Sequence, residues 1–204
     1  MDKIKSAEIF NKNNFFHPKT YLIKINEINK QNFFEYPFVL KPRSEGSSVG
    51  VGIIRSKSEK ENYIQENMFR KEVLIQQFIK GPEINVAIFG NNKKGSLEID
   101  PKNEFYDYES KYFDKGQTKH IIPPRLNDDQ IKEVEKLALK AHHLIGCKGI
   151  SRIEFILDSS SKQFYILELN TQPGMTPTSL VPEIAKYHGV NFDDLIKWMI
   201  EDAK

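Results

Sequence analysis

The sequence predicts an α+β fold, and three stretches carry that expectation. The apolar run Phe38-Val39-Leu40-Lys41 returns as Val51-Gly52-Ile53-Ile54 across a glycine- and serine-rich tip, which reads as two strands around a loop. The runs 150–157 and 164–170 are strand-like and are joined by the turn residues DSSSKQ. Between these pairs, Ile131, Val134, Leu137, Ala138, Ala141, Leu144 and Ile145 fall on one face of a helix. Hairpins and helices are thus mixed along the chain.

The elements follow in order. Residues 2–14 form a short helix, ended by Asn13-Asn14 and Pro18. Tyr21 to Ile25 alternate as a strand does, and Val39–Lys41 and Val51–Arg55 flank the glycine–serine tip. Ser58-Glu59-Lys60-Glu61 has capping-box spacing and opens a helix reaching about Arg70. Val73-Leu74-Ile75 begins a buried strand. After Gly81-Pro82 comes the strand Ile84–Phe89, then a turn at Gly90-Asn91-Asn92. Residues 103–120 lack a period and form a long loop, a feature that is usually functional inside a compact domain. Asn127 or Asp128 caps the long helix and Gly146 stops it. A proline-containing loop, 171–178, leads from the last strand to two short helices.

Composition narrows the function. With 204 residues and 39% apolar content, the chain is globular and holds one or two small domains. A net charge of +2 with no basic stripe argues against nucleic acid as a partner. Cys147 is the single cysteine, so there is no internal disulfide and no zinc-ligand spacing. His142, His143 and Cys147 read as structural. The N-terminus lacks a signal-peptide pattern and no run reaches membrane-span length, so the expected location is the cytoplasm, without a membrane partner.

Two sites stand out chemically. Side chains alternate across a strand, so Arg152 shares a face with Glu154, and Glu168 with Asn170. If Asp158 pairs with Phe164, Glu154 lies opposite Glu168 and Arg152 opposite Asn170. Facing carboxylates repel, and magnesium, which prefers carboxylate and amide oxygens, relieves the conflict. On its own, the pattern also fits a solvent-facing hairpin with scattered charges. At the glycine–serine tip, close backbone N–H groups and Lys41 suit a polyphosphate, although an ordinary hairpin loop has the same composition.

KPRSEGSSVGVG, GPEINVAIFG, FYDYESKY, GCKGISRIEF and YILELNTQPGMTPTSLVP occur here in an order that resembles the D-alanine–D-alanine ligases of the ATP-grasp superfamily, over Met1 to about residue 200. The resemblance implies two α+β subdomains clamping ATP. Residues 1–80 would form the small lid subdomain, with a phosphate-covering loop at 42–50, and residues 81–204 the large subdomain with the metal and acceptor site. It implies an ATP-dependent ligase that joins two D-alanines through an acyl phosphate for peptidoglycan synthesis. Mg2+ or Mn2+ is the implied cofactor, and ATP and D-alanine the small-molecule partners.

Residue by residue, the resemblance gives Lys3 and Lys41 to the ATP phosphates. Glu45, Ser47, Ser48 and Val49 go to the covering loop, with Ser47 also linked to catalysis. It gives Gln76, Gln77, Phe78 and Ile79 to the adenine, Glu83 to the ribose, and Lys111 to the transferred phosphate. Tyr112 links the loops. Arg152 and Gly174 stabilise the oxyanion, Ser179 and Leu180 hold the second D-alanine, and Glu154, Glu168 and Asn170 bind metal. Glu154 stands where the family usually has aspartate, and Gln76 where it has an acidic residue. Family members also carry an amino-terminal domain of roughly 100 residues before the counterpart of MDK. The expectation is therefore weak or no activity alone, with a separately encoded domain as one partner and family dimerisation left open. Alternatives are a non-catalytic nucleotide-binding remnant or subunit, and a ligase with another acceptor.

Overall fold

The computed structural model describes residues 2–30, 32–46, 49–90, 93–100 and 118–203. They form two compact units, one ending at Lys80 and the other beginning at Gly81. Among the described residues no helix is long and apolar enough to cross a membrane.

The first unit is a four-stranded antiparallel sheet, in the order β1-β4-β2-β3, built from β1 (Thr20–Lys24), β2 (Phe38–Lys41), β3 (Gly52–Ile54) and β4 (Glu72–Gln77). Register places Tyr21 opposite Ile75, and Leu40 opposite both Ile75 and Gly52. Alternation then sends Ile23, Phe38, Leu40, Ile54, Val73 and Ile75 to one face. There they form a core with Ile25 and Ile28 of a 3-10 helix (Ile25–Lys30) and with Tyr63 of α2 (Lys57–Glu66). Thr20, Lys41 and Gln76 occupy the opposite face. The cap of α2 is Ser56, whose hydroxyl accepts from the Glu59 N–H at 3.2 Å, so Ser58 lies inside the first turn. Asn67, not Arg70, closes that helix, because its backbone N–H turns back to Ile64 and Tyr63.

In α1 (Lys3–Lys12) the N-cap Asp2 accepts from the N–H groups of Ile4 and Lys5. Asp2 also pairs with Arg43 at 2.7 Å. This Arg43 contact, with the two backbone donors, holds the Asp2 carboxyl down at about 2.

The second unit is a five-stranded antiparallel sheet in the order β7-β6-β5-β8-β9. Its strands are β5 (Glu83–Phe89), β6 (Lys93–Asp100), β7 (Lys119–Ile121), β8 (Ile150–Leu157) and β9 (Phe164–Asn170). The amphipathic α3 (Asp128–Ile145) buries Val134, Ala138 and Ala141, and Gly146 ends it at φ 75. His142 is fully buried there and bonds Ser151 of β8 at 2.7 Å. Two helices follow, α4 (Leu180–Tyr187) and α5 (Phe192–Asp202). Strand β6 has no counterpart in the sequence reading. Most of the expected 103–120 loop lies outside the described residues, but its last two positions, Lys119 and His120, belong to β7.

One irregularity sets the hairpin that matters most. Leu157, not Asp158, faces Phe164, so the turn is one residue longer than expected. The register then shifts between Glu154 and Phe155, and beyond the shift Glu154 faces Glu168 and Arg152 faces Asn170. Phe155 faces Ile166 and Glu154 faces Glu168, which leaves Leu167 as the extra residue of a β-bulge. In a regular strand Glu168 would share the buried face of Phe164 and Ile166. The bulge turns it, with Asn170, to the face opposite that core.

Candidate functional site

In the first unit the structure joins several sequence-predicted residues directly. Lys41 is buried, and its Nζ donates to Oε1 of Gln76 at 2.9 Å. Gln76 is itself 4% exposed, and its Nε2 donates to the Thr20 hydroxyl at 2.7 Å. The Gln76 oxygen expected to read a base is therefore already engaged by Lys41, with one lone pair left. Lys3 is anchored within the first turn of α1: its backbone N–H bonds the Arg43 carbonyl at 3.3 Å and its ammonium bonds the Glu45 carbonyl. The Glu45 carboxylate pairs with Arg70, and the Tyr63 hydroxyl donates to the Gly50 carbonyl at 2.7 Å. The glycine–serine loop is thus tied down at both ends. Gln77 continues β4 and bonds Lys19, while Phe78 and Ile79 lie in the strand-free stretch that follows. Ser47, Ser48, Lys111 and Tyr112 lie outside the described residues.

His17 is a neighbour the sequence reading missed. Burial, helped by the charge of Lys41, pushes its pKa down to about 4. A histidine held neutral in the fold but titrating near 6.5 when unfolded stabilises fully above pH 6.5. That stability is lost as pH falls toward 4. Denaturation midpoints at pH 7 and pH 4.5 should therefore separate, with a His17 contribution on the order of 3 kcal/mol at most. His17→Leu should flatten that dependence; an unchanged slope would show that other groups carry it.

In the second unit, Arg152, Glu154, Glu168 and Asn170 gather on one face of β8 and β9, as their register requires. Arg152 donates through Nη2 to Oε1 of Glu154, and both side chains are largely buried. Burial alone lowers the Arg152 pKa. The charge and hydrogen bond of Glu154, with Glu168 and Glu83, outweigh it and raise the guanidinium above its ordinary value. The Asn170 side-chain oxygen accepts from the Gln172 N–H at 2.9 Å.

Asn85, read from the sequence only as a strand residue, completes this face. It lies opposite Glu154 on β5, is fully buried, and donates through Nδ2 to Glu83 at 2.9 Å. Its Oδ1 and the Nε of Arg152 are buried without a hydrogen-bond partner among the described residues. A buried carbonyl oxygen without a donor is costly, and it calls for a cation or a donor at this point. Among the described residues no three His, Cys, Asp or Glu side chains group as a metal cluster. The donor set here is instead two carboxylates with the amides Asn170 and Asn85. These are hard oxygens of the kind magnesium takes, so the residues fit such an ion, with Arg152 as the competing cation.

The loop beyond β9 brings Gly174 and Ser179 together. A Cβ on Gly174 would lie 3.0 Å from the Ser179 hydroxyl, so the glycine permits a close approach. Ser179 occupies the N-cap position of α4 yet makes no side-chain cap bond. Its hydroxyl accepts from the Thr176 N–H at 3.1 Å. Leu180 begins the helix and is buried.

Residues 8–201 match the protein family described as D-ala D-ala ligase C-terminus. A D-alanine–D-alanine ligase of Pelagibacter ubique (strain HTCC1062) is 44% identical over 214 residues, spanning 100% of this chain and 68% of the relative. That of Wolbachia pipientis wMel is 41% identical, spanning 100% of this chain and 65% of its own. The crystal structure of a D-alanine–D-alanine ligase from Bacillus anthracis, complexed with ATP, aligns with a TM-score of 0.78 at 26% identity, over 98% of this chain and 65% of that one. The VanG D-Ala:D-Ser ligase from Enterococcus faecalis aligns at 0.81 and 26% identity, over 98% of this chain and 61% of its own. The chain thus spans about two thirds of the length of these relatives.

Proposed function

The chain belongs to the D-alanine–D-alanine ligase C-terminal family, with the ATP-grasp fold of its structural relatives, and we propose that it supplies the nucleotide, metal and acceptor sites of an ATP-dependent ligase joining two D-alanines for peptidoglycan synthesis in the cytoplasm. The observation that carries the reading is the β8–β9 face, where Glu154 opposes Glu168 and Arg152 opposes Asn170.

Residues up to Lys80 act as the lid subdomain and those from Gly81 as the metal and acceptor subdomain. Lys41 and Lys3 face the ATP phosphates, beside the loop of Glu45, Ser47, Ser48 and Val49. Gln76 to Ile79 meet the adenine and Glu83 the ribose. Glu154, Glu168 and Asn170 would hold Mg2+ or Mn2+, which when bound neutralises phosphate charge. Lys111 steadies the phosphate transferred to the carboxylate of the first D-alanine. Tyr112 links that segment to the serine loop. The amine of the second D-alanine, held by Ser179 and Leu180, then attacks the acyl phosphate; phosphate leaves and the amine proton is released. Arg152 and the Gly174 N–H stabilise the tetrahedral oxyanion.

ADP release that depends on D-alanine, measured with a family amino-terminal domain supplied, tests this reading. Release at the same rate without D-alanine, or with no dipeptide formed, would count against it. In the same assay Lys41→Ala should raise the ATP concentration needed, since a charge-assisted phosphate contact is worth about 1.5–3 kcal/mol. An unchanged ATP dependence would remove Lys41 from the phosphate site.

A further inference from the structure

Glutamine differs from a carboxylate in one respect that matters at position 76. A carboxylate presents two equivalent acceptor oxygens. A glutamine presents one acceptor and one NH2 donor, and the two faces exchange when the amide turns over. A base that offers an amino group needs the oxygen; one that offers a carbonyl needs the NH2. Whatever fixes the amide therefore fixes which base fits.

The hydrogen bonds around Gln76 leave one solution. The Thr20 hydroxyl has a single hydrogen, and it donates to the Pro18 carbonyl at 2.8 Å. Thr20 can then only accept from Gln76, so the NH2 must face it, at 2.7 Å. Lys41 has donors and no acceptor, so the amide oxygen must face Lys41, at 2.9 Å. Lys41 has three hydrogens and is drawn toward any phosphate that enters. Thr20, on an adjacent strand and directly opposite Gln76, is fixed by the backbone register. It is the constraint that persists when the lysine is shared with a ligand.

We infer that Thr20 is a positioning residue for base selection: its hydroxyl holds the Gln76 amide with the oxygen toward the base, so that an adenine amino group is accepted and a guanine carbonyl is met by a lone pair. This rests on the reading of Gln76 as the adenine contact. The proposal joins residues 56 positions apart, and each of its contacts lies within the first unit.

The experiment is competition between ATP and GTP for the chain in magnesium buffer, read as the ratio of their dissociation constants. Thr20→Val keeps the shape and removes the acceptor. It should lower the preference for ATP by about 3- to 10-fold, the worth of one misdirected neutral hydrogen bond. Thr20→Ser, which keeps the hydroxyl, should preserve the ratio and shows that the strand tolerates the site. In a Gln76→Glu background the carboxylate has no wrong way round, so adding Thr20→Val should leave the ratio unchanged. An equal fall in both backgrounds, or no fall in the Gln76 background, would overturn the role of Thr20. Gln76→Ala separates the two levels. If it shifts the ratio while Thr20→Val does not, only the positioning role fails. If it leaves the ratio untouched, the adenine contact itself is wrong and the inference falls with it.

Discussion

Arg152→Met is expected to destabilise the chain by about 3–5 kcal/mol, because it removes one member of a buried ion pair and leaves the other. Glu154 is 7% exposed, bonds the Arg152 guanidinium, and faces Glu168 across the strands. Methionine fills the volume of the aliphatic stem, so the loss reports charge more than packing. Magnesium should restore part of the stability by taking the place of the missing cation between the carboxylates. Urea denaturation of both proteins, with and without magnesium, reads this out. A variant as stable as the parent in metal-free buffer would mean that Glu154 and Glu168 do not need a cation between them.

Deleting Leu167 is expected to be comparably severe. Without the extra residue β9 becomes regular, and one half of it must turn over. Either Glu168 and Asn170 rotate onto the face of Phe155 and Ile153, or Phe164 and Ile166 rotate off it. The first outcome buries a carboxylate without a partner, and the second empties two core positions, so each costs at least about 3 kcal/mol. Leu167→Ala, which keeps the bulge, should cost far less, since Leu167 is only half-buried. Circular dichroism melts of the two variants distinguish them. Equal melting of the deletion and the parent would show that the bulge does not position Glu168.

That bulge also explains how the site was legible when its register was not. Counting from the turn put Asp158 opposite Phe164, whereas the turn is one residue longer, with Leu157 there. The offset and the bulge cancel, so the pairings of Glu154 and Arg152 came out as expected. The signal was present in the spacing of Phe164, Ile166 and Leu169, which changes from two to three where the strand changes phase. Strand β6 was hidden for a different reason. Its polar residues Ser96 and Glu98 are buried, bonded to Glu135 and Arg125, so its alternation does not separate a wet face from a dry one. At Gly95 a Cβ would lie 2.6 Å from Ile184 of α4, so glycine admits the helix. At α2 the capping-box spacing pointed to Ser58, whereas Ser56, two residues earlier and in extended backbone, is the cap that accepts from Glu59. Asn85 read as one more strand residue. Its meaning depends on facing Glu154 from a strand that lies about 70 residues away in sequence, a distance no local pattern reports.

The central claim is that the face of Glu154, Glu168 and Asn170 binds the metal that accompanies ATP. Calorimetric titration of the chain with ATP, in magnesium and in chelator, tests it most directly, with Glu168→Gln as the paired variant. The expected result is binding that weakens sharply when magnesium is withdrawn from the parent, and a variant whose affinity barely responds to magnesium. Equal ATP affinity with and without magnesium in the parent, or an undiminished magnesium response in Glu168→Gln, would contradict the assignment of this face as the metal site.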